Sequence, residues 1–192
     1  YRVHMITNGI LLTEARLAAL APHLFLVGVS LDGTEAVHNA VRGSDNAFRQ
    51  ATRALELLAG TSLPFGIIYA VTAPPIGDIP WAFEFARALG ARLLHLRPLA
   101  PEGRGRDLDA SWALTPDDCV RLYLLAELLD AYGPDARRVQ VDLVQTDGLE
   151  EAKRQFALLD PASPPQTLSD AVNPLVLDAD GKCYPFSYGI DA

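Results

Sequence analysis

The sequence predicts an α/β fold in which parallel strands alternate with helices. Two observations support it: short apolar runs recur along the chain, and segments of helical period lie between them. A third is size, because 192 residues that are 49% hydrophobic can bury one substantial core. Parallel strands joined in this way need right-handed crossovers, which form either an open doubly wound sheet or a barrel, complete or partial. The periodicity alone leaves both arrangements open.

Five short runs are the strand candidates. They are apolar almost throughout, as strands buried on both faces tend to be, and they cover residues 2–7, 24–30, 65–72, 92–97 and 138–143. Because the strands are expected to run parallel, the residues that follow them are expected to meet at one edge of the sheet.

Two helices are predicted from their start and stop signals. Asp45 or Asn46 can cap the first, Gly60 ends it, and one apolar stripe runs along it, formed by Phe48, Ala51, Leu55 and Leu58. The second begins at Asp78 and stops before Gly90, with three residues expected to face inward: Trp81, Phe85 and Leu89.

A third helix has the strongest start signal. Thr115 supplies a capping hydroxyl, Pro116 suits the first turn, and Asp117 and Asp118 favour the positive end of the helix dipole. The helix carries a wide apolar stripe of Val120, Tyr123, Leu124 and Leu128. Cys119 on the same helix is interpreted as a buried small hydrophobe.

The character of the chain changes after Asp147-Gly148. A stretch compatible with a helix (149–159) leads into the proline-rich segment 160–165, which is typical of a linker. Two short runs then flank Asp178-Ala179-Asp180-Gly181, a signature of a β-hairpin. The sequence therefore predicts a main domain over 1–148 and a small α+β extension over 149–192.

Composition excludes several classes of function. A formal net charge of −8 argues against nucleic-acid binding, which needs a concentrated basic surface. The apolar runs are too short to cross a bilayer, so no membrane partner is expected. Two cysteines, Cys119 and Cys183, are too few for a disulfide framework or a cysteine-ligated metal site. A cytoplasmic location is the expectation that follows.

Polar side chains follow four of the predicted strands. Thr7-Asn8-Gly9, Ser30-Leu31-Asp32-Gly33, Thr72 and Arg97-Pro98 stand where strands end, the edge at which parallel α/β proteins carry their chemistry. The alternative is that Asn-Gly and Asp-Gly only form turns, which any strand-to-helix loop needs. For Thr7 and Ser30, a ligand contact and a local backbone bond are equally good interpretations.

The ordered set of motifs resembles the radical S-adenosylmethionine (SAM) superfamily. Ile6-Thr7-Asn8-Gly9 is similar to the end of the third strand in that family, and Val29-Ser30-Leu31-Asp32-Gly33, with Arg42-Gly43 after it, to the fourth. Tyr69-Ala70-Val71-Thr72 and Leu96-Arg97-Pro98-Leu99 resemble the fifth and sixth. The segment 176–185 resembles the hairpin that opens the extension of peptide-modifying members, of the PQQ-biosynthesis protein E and anaerobic sulfatase maturase types.

The resemblance implies a partial (β/α) barrel, strands three to six of the family core, and a set of SAM-binding residues. Thr7 and Ser30, with Asn8 beside them, approach SAM; Asp32 holds ribose or orients Arg42; Arg42 pairs with the SAM carboxylate. Three further contacts are implied: Val71 and Leu96, which sandwich adenine or pack in the core, and Arg97, which contacts substrate or cofactor. The histidines are interpreted as structural, with His38 as a loop anchor.

One expected motif is not in this sequence. The family holds a 4Fe-4S cluster with Cys-x-x-x-Cys-x-x-Cys, and no such spacing occurs here. The chain is therefore expected to be part of a longer enzyme that cleaves SAM to a 5′-deoxyadenosyl radical and abstracts hydrogen from a small molecule or peptide, and to be inactive alone. The alternatives are a non-catalytic scaffold of the same fold and an aldolase-type enzyme. The apolar strand 2–7 is expected to form an exposed edge through which two copies dimerise.

Overall fold

The computed structural model describes residues 2–99, 110–131, 139–143, 176–177 and 183–184. They fall in two units. One is a sheet with its helices, within residues 1–100 and 107–145; the other contains a two-stranded pair within 146–192. Within the described ranges, none of the helices has the length and apolar character needed to cross a membrane.

The larger unit is built on a five-stranded sheet. Its strands are β1 (His4–Thr7), β2 (Leu26–Ser30), β3 (Phe65–Val71), β4 (Leu93–Pro98) and β5 (Gln140–Leu143). They stand in the order of the chain, and every neighbouring pair is parallel. All five fall within or beside the predicted runs, so the α/β fold with parallel strands is confirmed.

Five α-helices accompany the sheet: α1 (Glu14–Leu20), α2 (Glu35–Arg42), α3 (Ala47–Ala59), α4 (Ile79–Leu89) and α5 (Pro116–Ala131). The predicted boundaries of α3 and α4 and the predicted start of α5 agree with the structure. At the start of α5, the Thr115 amide donates to Asp118 and the Asp118 amide donates back to the Thr115 hydroxyl, which forms a capping box. The helices α1 and α2 lie between predicted strands, where the sequence predicts helical stretches without bounds.

One face of the sheet packs against the helices. Successive residues of a strand point to opposite faces, and alternate residues such as Val27, Val29, Ile67 and Leu94 share one buried cluster with residues of α1, α3, α4 and α5. Leu55 and Leu58 of α3 enter this cluster as predicted. From α4 the buried members are Ile79 and Phe83, which the sequence does not predict to face inward. The hydrophobic core therefore lies between this face and the helices.

The opposite face, named here the inner face, carries the alternate residues of the strands. In register across the sheet, it bears Ile6 and Gly28, then Ser30, Ile68 and His95, then Ala70 and Arg97. Most of these side chains are half-buried, whereas Ile6 is exposed. The inner face is the surface of the sheet that a ligand can reach.

Two predictions about α5 are wrong, and one about α4 holds only in part. The stripe of Val120, Tyr123, Leu124 and Leu128 lies on the exposed side of α5, which instead buries Leu122 and Ala126. Cys119 is exposed, too, because it precedes Val120 on that outer side. On α4 the residues Trp81, Phe85 and Leu89 are only partly buried and flank the core, because smaller residues beside them make the closest approach to the sheet.

The smaller unit contains β6 (Val176–Leu177) and β7 (Cys183–Tyr184), which pair antiparallel. They occupy the two arms of the hairpin that the sequence predicts. The helix-compatible stretch 149–159, the linker 160–165 and the hairpin turn lie outside the described residues. The boundary near residue 148 stays a prediction.

Candidate functional site

The most developed polar contact in the structure joins the end of β2 to the end of α2. Asp32, two residues past β2, is fully buried, and Arg42 stands in the last turn of α2. The Arg42 Nε donates to Asp32 Oδ2 at 2.7 Å, while the Arg42 side chain remains 32% exposed. A buried carboxylate thus holds a guanidinium that still reaches the surface. This contact is the geometry expected if Asp32 orients Arg42, and a ribose contact of Asp32 stays a prediction.

Asp32 has two further partners. Its Oδ1 accepts a hydrogen bond from the backbone amide of Ala70 on β3 at 3.1 Å. The Nδ1 atom of His38 lies 3.0 Å from the Asp32 amide nitrogen and 3.2 Å from Asp32 Oδ2. A neutral imidazole with its hydrogen on Nε2 accepts from that amide. The carboxylate is therefore fixed from β3, from α2 and through its own backbone.

These partners determine the ionisation of Asp32. Burial on its own raises the pKa of the Asp32 carboxyl, because a charged group is disfavoured away from water. The charge and hydrogen bond of Arg42 and the hydrogen bond from the Ala70 amide act against burial, and the pKa of the Asp32 carboxyl lies below its ordinary value. Asp32 is an anion at neutral pH, as an arginine partner requires.

The turn after Asp32 depends on a glycine. Gly33 has a φ of +148°, and a Cβ placed there would lie 2.9 Å from Val37 Cγ1. The next residue, Thr34, donates to Asp78 Oδ2 from its amide at 3.2 Å and from its hydroxyl at 2.9 Å. Asp78 precedes α4, so this contact joins the loop after β2 to the loop after β3.

Thr7 and Asn8 form local turns. The Thr7 hydroxyl accepts from the Gly9 amide at 3.1 Å, and the Asn8 side-chain oxygen accepts from the Ile10 amide at 3.2 Å. The local backbone bond, one of the two interpretations of Thr7, is present. The hydroxyl still has a hydrogen to donate, so a ligand contact of Thr7 stays a prediction.

Ser30 and Arg97 both lie on the inner face and are half-buried. Thr72, immediately after β3, is 2% exposed, and its hydroxyl has no hydrogen-bond partner in the described part of the chain. A buried hydroxyl without a partner is unfavourable, which makes this strand end suited to a polar group that the structure does not contain.

Val71 and Leu96 stand apart from these residues. Both side chains are fully buried in the core cluster between the sheet and the helices. Strand alternation places them on the face opposite Ser30 and Arg97. Both residues therefore pack in the core, which is the second of the two interpretations for them. An adenine contact is not proposed for either residue.

Three polar contacts near the strand ends are not predicted from the sequence. His38 is interpreted as a loop anchor, and its contact with the Asp32 amide agrees with this. Its place beside the Asp32 carboxylate is not predicted, although the spacing of four residues between His38 and Arg42 on α2 puts both on one side of the helix. His95 was interpreted as structural, although its two-residue spacing from Arg97 puts both on the inner face. Asp78 was treated as a helix start only, because no local pattern links it to Thr34.

The described residues contain no cluster of three or more histidine, cysteine, aspartate or glutamate side chains able to hold a metal ion. Among them the one cysteine whose side chain is described is Cys119, which is exposed on α5 and far along the chain from the polar strand ends. The polar groups of the candidate site are a serine hydroxyl, a carboxylate-held arginine and a second arginine. This combination suits a small anionic or zwitterionic ligand.

Parallel strands in sequential order, with helices packed on one face and polar residues at the carboxyl ends, define a partial (β/α) barrel. Solved structures of an anaerobic sulfatase-maturating enzyme share this fold. The structure "Native anSMEcpe with bound AdoMet and Kp18Cys peptide" matches with a TM-score of 0.62 at 22% identity, over 98% of this chain and 52% of that chain. The structure "Native anSMEcpe with bound AdoMet" matches with a TM-score of 0.63.

Curated relatives agree with the resemblance seen in the motifs. The AdoMet-dependent heme synthase of Methanosarcina barkeri is 36% identical over 123 residues, which is 63% of this chain and 34% of that protein. The cysteine-type anaerobic sulfatase-maturating enzyme of Clostridium perfringens is 28% identical over 191 residues, 95% of this chain and 49% of that enzyme. Mycofactocin maturase MftC of Mycobacterium tuberculosis is 35% identical over 120 residues, 61% of this chain and 30% of that protein.

The chain is thus a relative of radical SAM enzymes, of the branch that contains the anaerobic sulfatase-maturating enzymes. It spans between 30% and 49% of the length of these curated relatives. No family model matches the sequence. The superfamily and branch predicted from the motifs are confirmed, and the aldolase-type alternative is set aside.

Proposed function

We propose that this chain forms the SAM-binding part of a radical SAM enzyme that matures a peptide or a cofactor. The observation that carries the proposal is the Asp32–Arg42 pair, a partly exposed guanidinium held by a buried carboxylate beside Ser30 at the carboxyl ends of β2 and β3. Kinship with radical SAM enzymes supplies the ligand class that this geometry serves.

Arg42 is the proposed ligand of the SAM carboxylate. Its bond to Asp32 uses one of the five N–H donors of the guanidinium. A planar fork of the remaining donors, on a side chain that is one-third exposed, matches a carboxylate bidentately, which a lysine cannot do. Asp32 acts through Arg42, so it is a positioning residue in this proposal.

Ser30, Arg97 and Thr72 complete the proposed site. Ser30 and Arg97 lie on the inner face, on either side of β3. Ser30 is in register with His95, and Arg97 lies two residues further along β4, so the backbones of Ser30 and Arg97 are about 12 Å apart. That width accommodates a nucleoside. The buried Thr72 hydroxyl at the end of β3 lacks a partner in the described residues, and a bound polar group would satisfy it. These residues fit SAM, which supplies a 5′-deoxyadenosyl group when it is cleaved reductively.

The residues of this sequence do not fit a 4Fe-4S cluster. Two cysteines occur in the sequence, fewer than the three thiolates of the family motif, and the exposed Cys119 lies on the outer side of α5. No step of the chemistry is therefore assigned to a cluster on this chain, and the chain alone is proposed to be inactive. Radical formation is proposed for the natural gene product that contains this sequence.

The substrate proposed is a peptide or a cofactor precursor. The support is the chain's similarity to known proteins. A structure with the same fold holds both AdoMet and a peptide, and the relatives include maturases and a bacteriocin biosynthesis protein. The formal net charge of −8 supports the expectation that the substrate is not a nucleic acid. A cytoplasmic location remains the prediction made from the sequence.

The test uses the natural gene product that contains this sequence, reconstituted with iron and sulfide without oxygen. Three quantities are measured: SAM binding by equilibrium dialysis, iron content, and release of 5′-deoxyadenosine from SAM with a strong reductant. The wild type is expected to bind SAM and release deoxyadenosine. Arg42→Gln is expected to bind SAM at least tenfold more weakly, because one charged hydrogen-bonded contact is worth about 1.5–3 kcal/mol.

A matched control separates the site from general damage. Arg87→Gln removes another ion-paired arginine, one that is exposed on α4 and bonded to Glu84 at 2.7 Å, and it should leave SAM binding unchanged. Equal SAM affinity in wild type and Arg42→Gln would show that the site is placed wrongly. A gene product that holds no iron and leaves SAM intact is a binding or scaffold protein, and the enzyme proposal fails.

A further inference from the structure

We propose that His38 is a positioning residue of the SAM site: it fixes Asp32 in the orientation from which Asp32 directs Arg42. The inference rests on the proposed function, in which Arg42 binds the SAM carboxylate. The sequence assigns His38 no role beyond anchoring its loop, and the structure places it beside a buried carboxylate that holds an arginine.

The contact of His38 with the Asp32 backbone has a defined direction. A backbone amide can only donate, so the 3.0 Å approach of the Asp32 nitrogen to Nδ1 makes Nδ1 the acceptor. Both residues are buried, at 2% and 0% exposure, so water does not replace this acceptor if it is removed. The imidazole therefore determines where the Asp32 backbone lies.

The helix and the core hold the imidazole in place. His38 and Arg42 are four residues apart on α2, so both side chains project from the same side of the helix toward Asp32. The ring of Phe48 on α3 meets the His38 ring nearly edge-on, with centroids 6.4 Å apart at 67°. Phe48 in turn packs against Trp81 of α4, with centroids 6.1 Å apart. The orientation of His38 is thus set by three helices.

The position of Asp32 in turn determines the position of the Arg42 guanidinium. The carboxylate has two oxygens, one bonded to the Ala70 amide and the other to Arg42 Nε, so a shift of the Asp32 backbone moves the acceptor of Arg42. A guanidinium that binds a carboxylate bidentately tolerates little misalignment. Removing Nδ1 is therefore expected to weaken SAM binding although His38 does not touch SAM.

Three substitutions of His38 in the natural gene product test the role of Nδ1. His38→Asn places an amide oxygen where Nδ1 stands and keeps the acceptor, whereas His38→Gln carries its amide toward the Nε2 position, and His38→Leu has no acceptor. The Gln and Leu variants are expected to raise the SAM dissociation constant about five- to tenfold, the effect of about one hydrogen bond. His38→Asn should keep the SAM dissociation constant within about twofold of the wild-type value.

A double variant distinguishes positioning from a structural role. If His38 acts through Arg42, His38→Leu adds no further loss of SAM affinity in an Arg42→Gln background, although it still lowers the urea midpoint of unfolding. Wild-type SAM affinity in His38→Leu, or an additive loss in the double variant, overturns the inference and leaves the proposed function intact. Absence of SAM binding by the wild type, or no effect of Arg42→Gln, overturns the proposed function itself.

Discussion

Replacing Asp32 by asparagine isolates the charge that holds Arg42. The change keeps the shape of the side chain and an oxygen for the Ala70 amide, but it removes the anion 2.7 Å from Arg42 Nε. Breaking a fully buried ion pair costs about 3–5 kcal/mol, because the remaining charge is left without compensation. Arg42 is 32% exposed, so water compensates part of that loss, and we expect about 2–3 kcal/mol.

Urea unfolding of the chain measures this loss. With a denaturant slope of about 2 kcal/mol per molar, the midpoint of Asp32→Asn is expected to fall by about 1–1.5 M at pH 7. The control is Glu84→Gln on α4, which breaks an ion pair of equal length between half-exposed side chains. That control should change the free energy of unfolding by less than about 0.5 kcal/mol.

The pH dependence gives an independent check. The pKa of Asp32 is lower in the folded chain than its ordinary value, so its ionised form favours folding at all pH values above the unfolded pKa. This stabilisation is lost as the pH falls from about 4 through the folded pKa. The difference between wild type and Asp32→Asn should therefore hold at pH 7 and pH 5 and narrow below pH 4. A midpoint of Asp32→Asn equal to the wild type at pH 7, or a difference that does not depend on pH, refutes the reasoning.

Two further predictions concern exposed apolar surfaces. On α5, Leu122→Ala is expected to lower the free energy of unfolding by about 2–5 kcal/mol and Leu124→Ala by less than about 0.5 kcal/mol, because Leu122 is 1% exposed and Leu124 is 61% exposed. Urea unfolding measures both variants, and a lower midpoint for Leu124→Ala than for Leu122→Ala would show that the helix faces are assigned wrongly. On β1, which pairs only with β2 among the described strands and exposes Ile6, the chain is expected to dimerise at high concentration and Ile6→Lys to stay monomeric. Light scattering checks this, and a monomeric wild type contradicts the dimer that the sequence predicts.

Features formed by residues close together in the chain can be predicted from the sequence, whereas contacts between distant residues cannot. The capping box at Thr115 and the glycine after α4 follow from cap residues within a few positions of each other. The orientation of Arg42 by Asp32 is one of the roles that the resemblance implies for Asp32, and the two residues stand before and at the end of one short helix. The contact between Thr34 and Asp78 spans 44 positions, and no local pattern announces it.

The sequence by itself determined the class of fold, the relationship to radical SAM enzymes and the strand ends that carry polar residues. Tertiary structure alone decided which face of α5 meets the core and where Val71 and Leu96 lie. The helix α5 is apolar on most sides, so its periodicity does not choose between Leu122 and the stripe that contains Leu124; only packing against the sheet does. Val71 and Leu96 were likewise equivalent candidates for ligand and core until the register of β3 and β4 put them among the helices. Burial depends on contacts between segments distant in the chain, and that information is not local to any one of them.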